Sequence, residues 1–122
     1  MIGPVPRRRV AVTGIGVVTP IGTGKSEFWE GVRAGRQGVR PITRFDASRL
    51  KTRIAGEIPH FEPRDYVSAK SVERTDRFGQ LSIAAARLAI EDSGLRIGEG
   101  AHAVPEIETA VTIGSALGGI AG

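Results

Sequence analysis

Residues 12–29 read VTGIGVVTPIGTGKSEFW, a glycine-spaced run ending in Gly24-Lys25-Ser26. Two readings compete for it. In a phosphate-binding loop, backbone N–H groups of a glycine-rich turn point at phosphate oxygens between a strand and a helix, so the spacing is strict. The Walker pattern needs its first glycine where Thr19 stands, and Pro20 follows at once. The dinucleotide fingerprint needs a small third residue at the same Thr19 and an acidic residue about twenty positions on, where Gln37 and Val39 lie. Both patterns fail. The run reads instead as a buried strand, Val10 to Val12, entering a turn whose glycines let two backbones pack closely. A stand-alone nucleotide- or phosphate-binding module is the reading from a different class; it predicts saturable nucleotide binding that Lys25→Ala abolishes.

Outward from this run, Ser26 is expected to cap a short helix with Glu27 and Glu30 near its start and Gly35 at its end. Phe28 and Val32, four apart, and the adjacent Trp29 read as core packing. Residues 37–63 form an irregular excursion containing Pro41, Pro59 and Pro63, extended only from Thr52 to Ile58. His60 lies in this excursion and His102 in GEGAHAVPE; neither has a second ligand at metal-binding spacing, so no metal site is expected.

From Ser68 the sequence SAKSVERTDRFGQLSIAAARLAIEDSGL predicts an amphipathic helix, with Phe78, Leu81, Ala85, Leu88 and Ala89 at steps of three and four. Gly94 suits the left-handed position at its end. Ala84 to Ala86 allow another backbone to approach, which predicts a helix buried inside something larger. Thr109 to Ile113 is a β-branched run suited to a strand buried on both faces. The order strand, helix, excursion, helix, strand belongs to an α/β layered sheet. A central strand running into a glycine-rich loop lacks its far neighbour and covering helix, so a large C-terminal portion is expected beyond residue 122, and the isolated segment is expected to fold poorly or self-associate.

The bulk properties fit one domain or part of one: 122 residues, 40% apolar, 25% charged, with 17 glycines favouring tight turns. The net charge of +4 comes partly from Arg7 to Arg9, beside a leader, residues 1–8, that reads as flexible and basic. One Trp, one Tyr and four Phe, none within that basic run, argue against a nucleic-acid surface. No apolar run has the length of a membrane span or the character of a signal-peptide core, so a soluble, cytoplasmic protein is expected. The absence of cysteine removes disulfides, thiolate metal sites and any thiol nucleophile from these residues.

Taken in order, RRVAVTGIGVVTPIGTGKSEFWEGVRAGRQGVRPITRFDAS, RIAGEI, TDRFGQLSIAAARLAIEDSGL and IGSALGGI resemble the opening of a β-ketoacyl-(acyl-carrier-protein) synthase, best the synthase II type and its polyketide relatives. The resemblance implies the N-terminal part of a thiolase-like α/β/α fold over residues 9–122, cut before the catalytic cysteine and two histidines. The family's members are acyltransferases, usually homodimers, that join an acyl thioester to malonyl-acyl carrier protein by decarboxylative Claisen condensation, without a cofactor. A polyketide ketosynthase or a chain-length-factor-like subunit shares the same scaffold. No catalytic residue is therefore expected in this chain. Leu117 matches the family position that lines the acyl pocket, although an ordinary apolar turn residue reads the same way. Lys70 and Arg74 match the basic edge that receives the acidic carrier protein. Glu73 departs from that pattern, and a solvated helix face accounts for the two cations equally well.

Overall fold

The computed structural model describes residues 9–98, 103–116, 118 and 119. The leader 1–8, His102 and Leu117 lie outside the described residues. The chain enters as an extended segment and forms a small antiparallel hairpin, β1 (Val18–Thr19) and β2 (Gly22–Thr23), around Pro20 and Ile21. Helix α1 (Lys25–Arg33) follows immediately. It packs on the hairpin through glycines: a Cβ at Gly22 would come within 2.6 Å of the Glu27–Phe28 backbone, and one at Gly31 within 2.5 Å of the Ile21 carbonyl. Gly35, at φ 62°, ends the helix as its left-handed conformation requires.

Ser26 is not the cap. The cap position is Gly24, two residues earlier, so that the helix starts at Lys25, and no side chain caps it. Glu27 instead reaches back to accept the Thr23 N–H of β2 at 2.8 Å, which ties the first turn of the helix to the hairpin.

The excursion is tied down at two places. Strands β3 (Arg40–Pro41) and β4 (Ile54–Ala55) pair antiparallel, extended by the Ile42 N–H to the Arg53 carbonyl at 2.9 Å. The Glu57 carboxylate then accepts the Thr43 N–H at 3.0 Å, the Thr43 hydroxyl at 2.7 Å and the Arg44 N–H at 3.2 Å. Those donors hold its pKa below the ordinary value, the Thr43 hydroxyl foremost. A short turn of 3-10 helix, Pro63–Asp65, leads on to the helices.

The helical region is broken in two, α2 (Ala69–Arg74) and α3 (Arg77–Ser93), where the sequence pattern predicted an amphipathic helix running on from Ser68. Asp76 causes the break: its carboxylate accepts the Gly79 N–H at 2.9 Å and caps a new helix start. Gln80 closes the gap by donating to the Val72 carbonyl at 3.1 Å and the Thr75 carbonyl at 2.7 Å, two acceptors stranded at the end of α2. Gly94, φ 67°, ends α3 as predicted.

The alanines of α3 do admit another backbone. Gly14 and Gly16 of the entering segment lie against Ala85, Ala89 and Ser93, so close that a Cβ on either would strike the helix carbonyls. On its other flank, Arg87 Nη1 bonds the Tyr66 carbonyl at 3.1 Å, and Arg77 bonds the Ile58 carbonyl at 2.7 Å while lying 5.3 Å from the Phe61 ring centre. Phe61 stacks on Tyr66 at 5.7 Å. Ala47, Phe61, Val67 and Ala84 form the buried apolar core.

The expected strands and the cover over Trp29 and Val32 are not seen among the described residues. Neither Val10–Val12 nor Thr109–Ile113 forms a strand; both lie outside regular secondary structure, with Val10 92% and Val111 81% exposed. A strand exists through its ladder partners, and neither segment has one among the described residues, where the observed sheets are two two-stranded ribbons and not a layered sheet. Trp29 and Val32 are exposed, because no described element covers that face of α1. Helix α3 is half-buried: Ala84 is fully enclosed, but Ile83 and Ile90 reach solvent.

Candidate functional site

Lys25 decides the opening question. Its ammonium pairs with the Asp92 carboxylate at the far end of α3, and the other Asp92 oxygen accepts the Ile15 N–H at 3.0 Å. One carboxylate thus joins the entering segment, α1 and α3, and the cation that a phosphate loop would present to its ligand is engaged as a fastener. Asp92 titrates below its ordinary 3.8, held down first by Lys25 and then by the Ile15 N–H. A depressed carboxylate stabilises the fold fully above the unfolded-state pKa and loses that contribution as pH falls through the folded-state one. The fastener should therefore weaken in acid below about pH 4. In Lys25→Met, the Asp92 carboxyl carbon should titrate closer to the ordinary value; an unchanged titration would assign the depression to Ile15 alone. Nucleotide added to the parent should show no saturable binding.

Two hollows flank the hairpin. One, about 500 Å3 and mostly apolar, lies among Ile15, Val17, Phe28 and Trp29, with Lys25 and Ser26 at its rim. The other, about 280 Å3, carries Arg36, Arg40, Glu27, Glu62 and Asp65. Four of these charges have partners within the chain: Arg36 lies 3.7 Å from Glu27, Arg40 bonds the Gln37 carbonyl at 3.3 Å, and Glu62 accepts the Arg64 N–H at 3.1 Å. Among the described residues no group of three or more His, Asp or Glu converges as a metal would need, and His60 is exposed.

Helix α2 presents Lys70 and Arg74 one turn apart, both exposed and, among the described residues, without an ion pair. Glu73 is exposed beside them. The helix is set by Ser68, whose hydroxyl accepts the Ser71 N–H at 3.3 Å. Leu117 lies outside the described residues, but its flanks do not. The Gly118 N–H bonds Ser115 Oγ at 2.8 Å with Gly118 at φ 62°, and Gly119 rests against the Asp76 carboxylate. The structure therefore places Gly119 beside Asp76, at the corner between α2 and α3. The pattern search missed Asp76 and Asp92; Asp-x-x-Gly ahead of an apolar periodic run is the cap signal that could have exposed the first.

Comparison with known proteins covers nearly the whole chain. The family model described as "Beta-ketoacyl synthase, N-terminal domain" matches residues 7–121. The 3-oxoacyl-(acyl-carrier-protein) synthase 2 of Coxiella burnetii is 46% identical over 114 residues, 93% of this chain and 27% of that protein. The enzyme of the same name from Synechocystis is 40% identical over 93% of this chain and 26% of its own length. Among solved structures, the ishigamide ketosynthase/chain length factor aligns with a TM-score of 0.68 and 48% identity over 74% of this chain and 22% of that one. The chain spans about a quarter of the length of the curated relatives it matches. With one family's motifs running in order from the entering segment to the glycine turn, the chain belongs to the beta-ketoacyl synthase family, whose N-terminal domain it matches.

Proposed function

We propose that these residues are the N-terminal segment of a β-ketoacyl-acyl carrier protein synthase with a thiolase-like α/β/α fold, acting in the cytoplasm as a homodimer. The observation that carries this reading is the 46% identity to a synthase 2 along 93% of the chain. In the reaction an acyl group passes from its carrier to an enzyme thiol. A malonyl thioester loses CO2, and the resulting enolate attacks the acyl carbonyl, forming the new C–C bond and releasing the thiol. The 122 residues hold no cysteine, so they supply packing and contact surfaces and not the nucleophile.

Two such surfaces follow. Lys70 and Arg74 on α2 receive the acidic carrier protein by Coulomb attraction, and Leu117 bounds the acyl channel. A polyketide ketosynthase or chain-length-factor role is the second reading, favoured by the 48% identity to the ishigamide ketosynthase/chain length factor.

Labelled acyl-carrier protein tests the reading. Protein from the complete reading frame should take up label covalently and yield a 3-oxoacyl product, while the 122-residue chain alone should take up none. Covalent label on that chain surviving denaturation would sink the assignment. Reversing both charges, Lys70→Glu with Arg74→Glu, should raise KM for the carrier protein about tenfold at low salt, with kcat little changed and the effect shrinking as salt screens it. A KM indifferent to the reversal would return both cations to an ordinary solvated face.

A further inference from the structure

Helix α2 is six residues long and is held at both ends by side chains. At its start, Ser68 Oγ accepts the Ser71 N–H at 3.3 Å and lies 2.9 Å from Ser71 Oγ. Its end has no left-handed residue: Thr75 is extended, at φ −123° and ψ 128°, and the chain turns at once into the cap of α3. The last carbonyls of a helix have no partner within it, and Gln80 satisfies two of them, its side-chain amide donating to the Val72 carbonyl at 3.1 Å and the Thr75 carbonyl at 2.7 Å. The other end of this tether is fixed. The Gln80 N–H bonds the Asp76 carbonyl at 3.0 Å, and Arg77, in the same first turn of α3, bonds the Ile58 carbonyl at 2.7 Å and lies 5.3 Å from the ring centre of the buried Phe61. Gln80 is half-buried, and both bonds of its amide end on backbone.

We propose, resting on the carrier-docking role given to Arg74 above, that Gln80 is a positioning residue: its amide holds the last turn of α2, and with it Arg74, in the orientation that receives the acidic carrier protein. A helix of six residues is too short to persist on its own hydrogen bonds, so the direction in which Arg74 leaves the surface depends on tethers from outside the helix. Lys70 lies near the Ser68 end and is set by that cap, whereas Arg74 lies between the two residues whose carbonyls Gln80 holds. Without the amide the last turn frays, and the cation meets a complementary acidic surface less often. The loss falls on association, where charges at the edge of a docking surface act, and not on the chemistry.

The test uses enzyme from the complete reading frame, with the acyl group presented on carrier protein and, separately, as its N-acetylcysteamine thioester, which lacks the acidic protein. Gln80→Met keeps the length of the side chain and removes both N–H donors. It should raise KM for the carrier substrate about threefold at low salt, the size of one exposed charge contact, with kcat and the rate on the small thioester unchanged. Arg74→Ala should raise the same KM by a similar factor. Adding Gln80→Met to Arg74→Ala should raise it no further, because the tether then holds nothing that the carrier meets. Factors for the two substitutions that multiply in the double variant would overturn the proposal, as would an equal loss on the small thioester, which marks general damage. Should Gln80→Met fail to fold, Gln80→Ala takes its place in the same cycle, since alanine favours the helix and lets water reach the carbonyls. A parent without condensing activity, or a KM indifferent to Arg74→Ala, would remove the functional reading and the proposal with it. A KM that responds to Arg74→Ala but not to Gln80→Met would overturn the positioning role alone.

Discussion

Gly16→Ala should destabilise the protein by about 3 kcal/mol, the upper end of overpacking costs. The methyl would enter the Ala85 carbonyl and crowd the Ala89 N–H, at 2.6 Å from that nitrogen. Both belong to the backbone of a 17-residue helix, which cannot rotate aside as a side chain can. Gly35→Ala is the control, because Gly35 has φ 62° and nothing within 4 Å of an added Cβ; there the cost is conformational alone, about 1 kcal/mol. Chemical denaturation of the two variants separates close approach from backbone preference. Equal losses would mean that the entering segment does not lie on α3.

The second large effect concerns Leu117, on the proposed function. Leu117→Phe in the enzyme from the complete reading frame should lower kcat/KM for long acyl primers by roughly ten- to a hundredfold and spare short ones, each tenfold being about 1.4 kcal/mol. The added ring overpacks a channel that only a long chain has to thread, at on the order of 1–3 kcal/mol. Equal losses for both primer lengths would indicate general destabilisation. No loss for either would place Leu117 outside the channel.

What the sequence made legible was whatever depends on neighbours along the chain. Gly35 and Gly94 mark helix ends because positive φ is a local demand, and the periodicity from Phe78 onward marks α3 because one face of a helix is written at steps of three and four. Close backbone approach was readable both at the Gly14–Gly16 turn and at Ala84–Ala86, although not that these two places meet each other. Strands were misread because their identity depends on partners remote in sequence: Val10–Val12 and Thr109–Ile113 have strand composition but no ladder among the described residues, while Val18–Thr19 pairs across the tight Pro20–Ile21 turn and Arg40–Pro41 pairs across a long loop with Ile54–Ala55. The break at Thr75–Asp76 was hidden because cap and helix continuation compete over only two residues. Of the candidate site, Lys70 and Arg74 could be located as exposed neighbours on one helix, whereas the fastening of Ile15 and Lys25 to Asp92 joins residues whose proximity no local pattern records.

The bond from the Ile15 N–H to Asp92 spans 77 residues, and the same join closes the contact of Gly14 and Gly16 with α3. On a ribosome adding about 5–20 residues per second, the entering segment is complete on the order of ten seconds before its docking surface has been made. Through that interval the Gly14–Gly16 backbone and the half-buried Val17 have no helix to lie against, and synthesis speed between residues 17 and 93 sets how long this segment stays open to aggregation. Slower translation of that interval should raise the yield of aggregated product and the demand for holding chaperones, and faster translation should lower both.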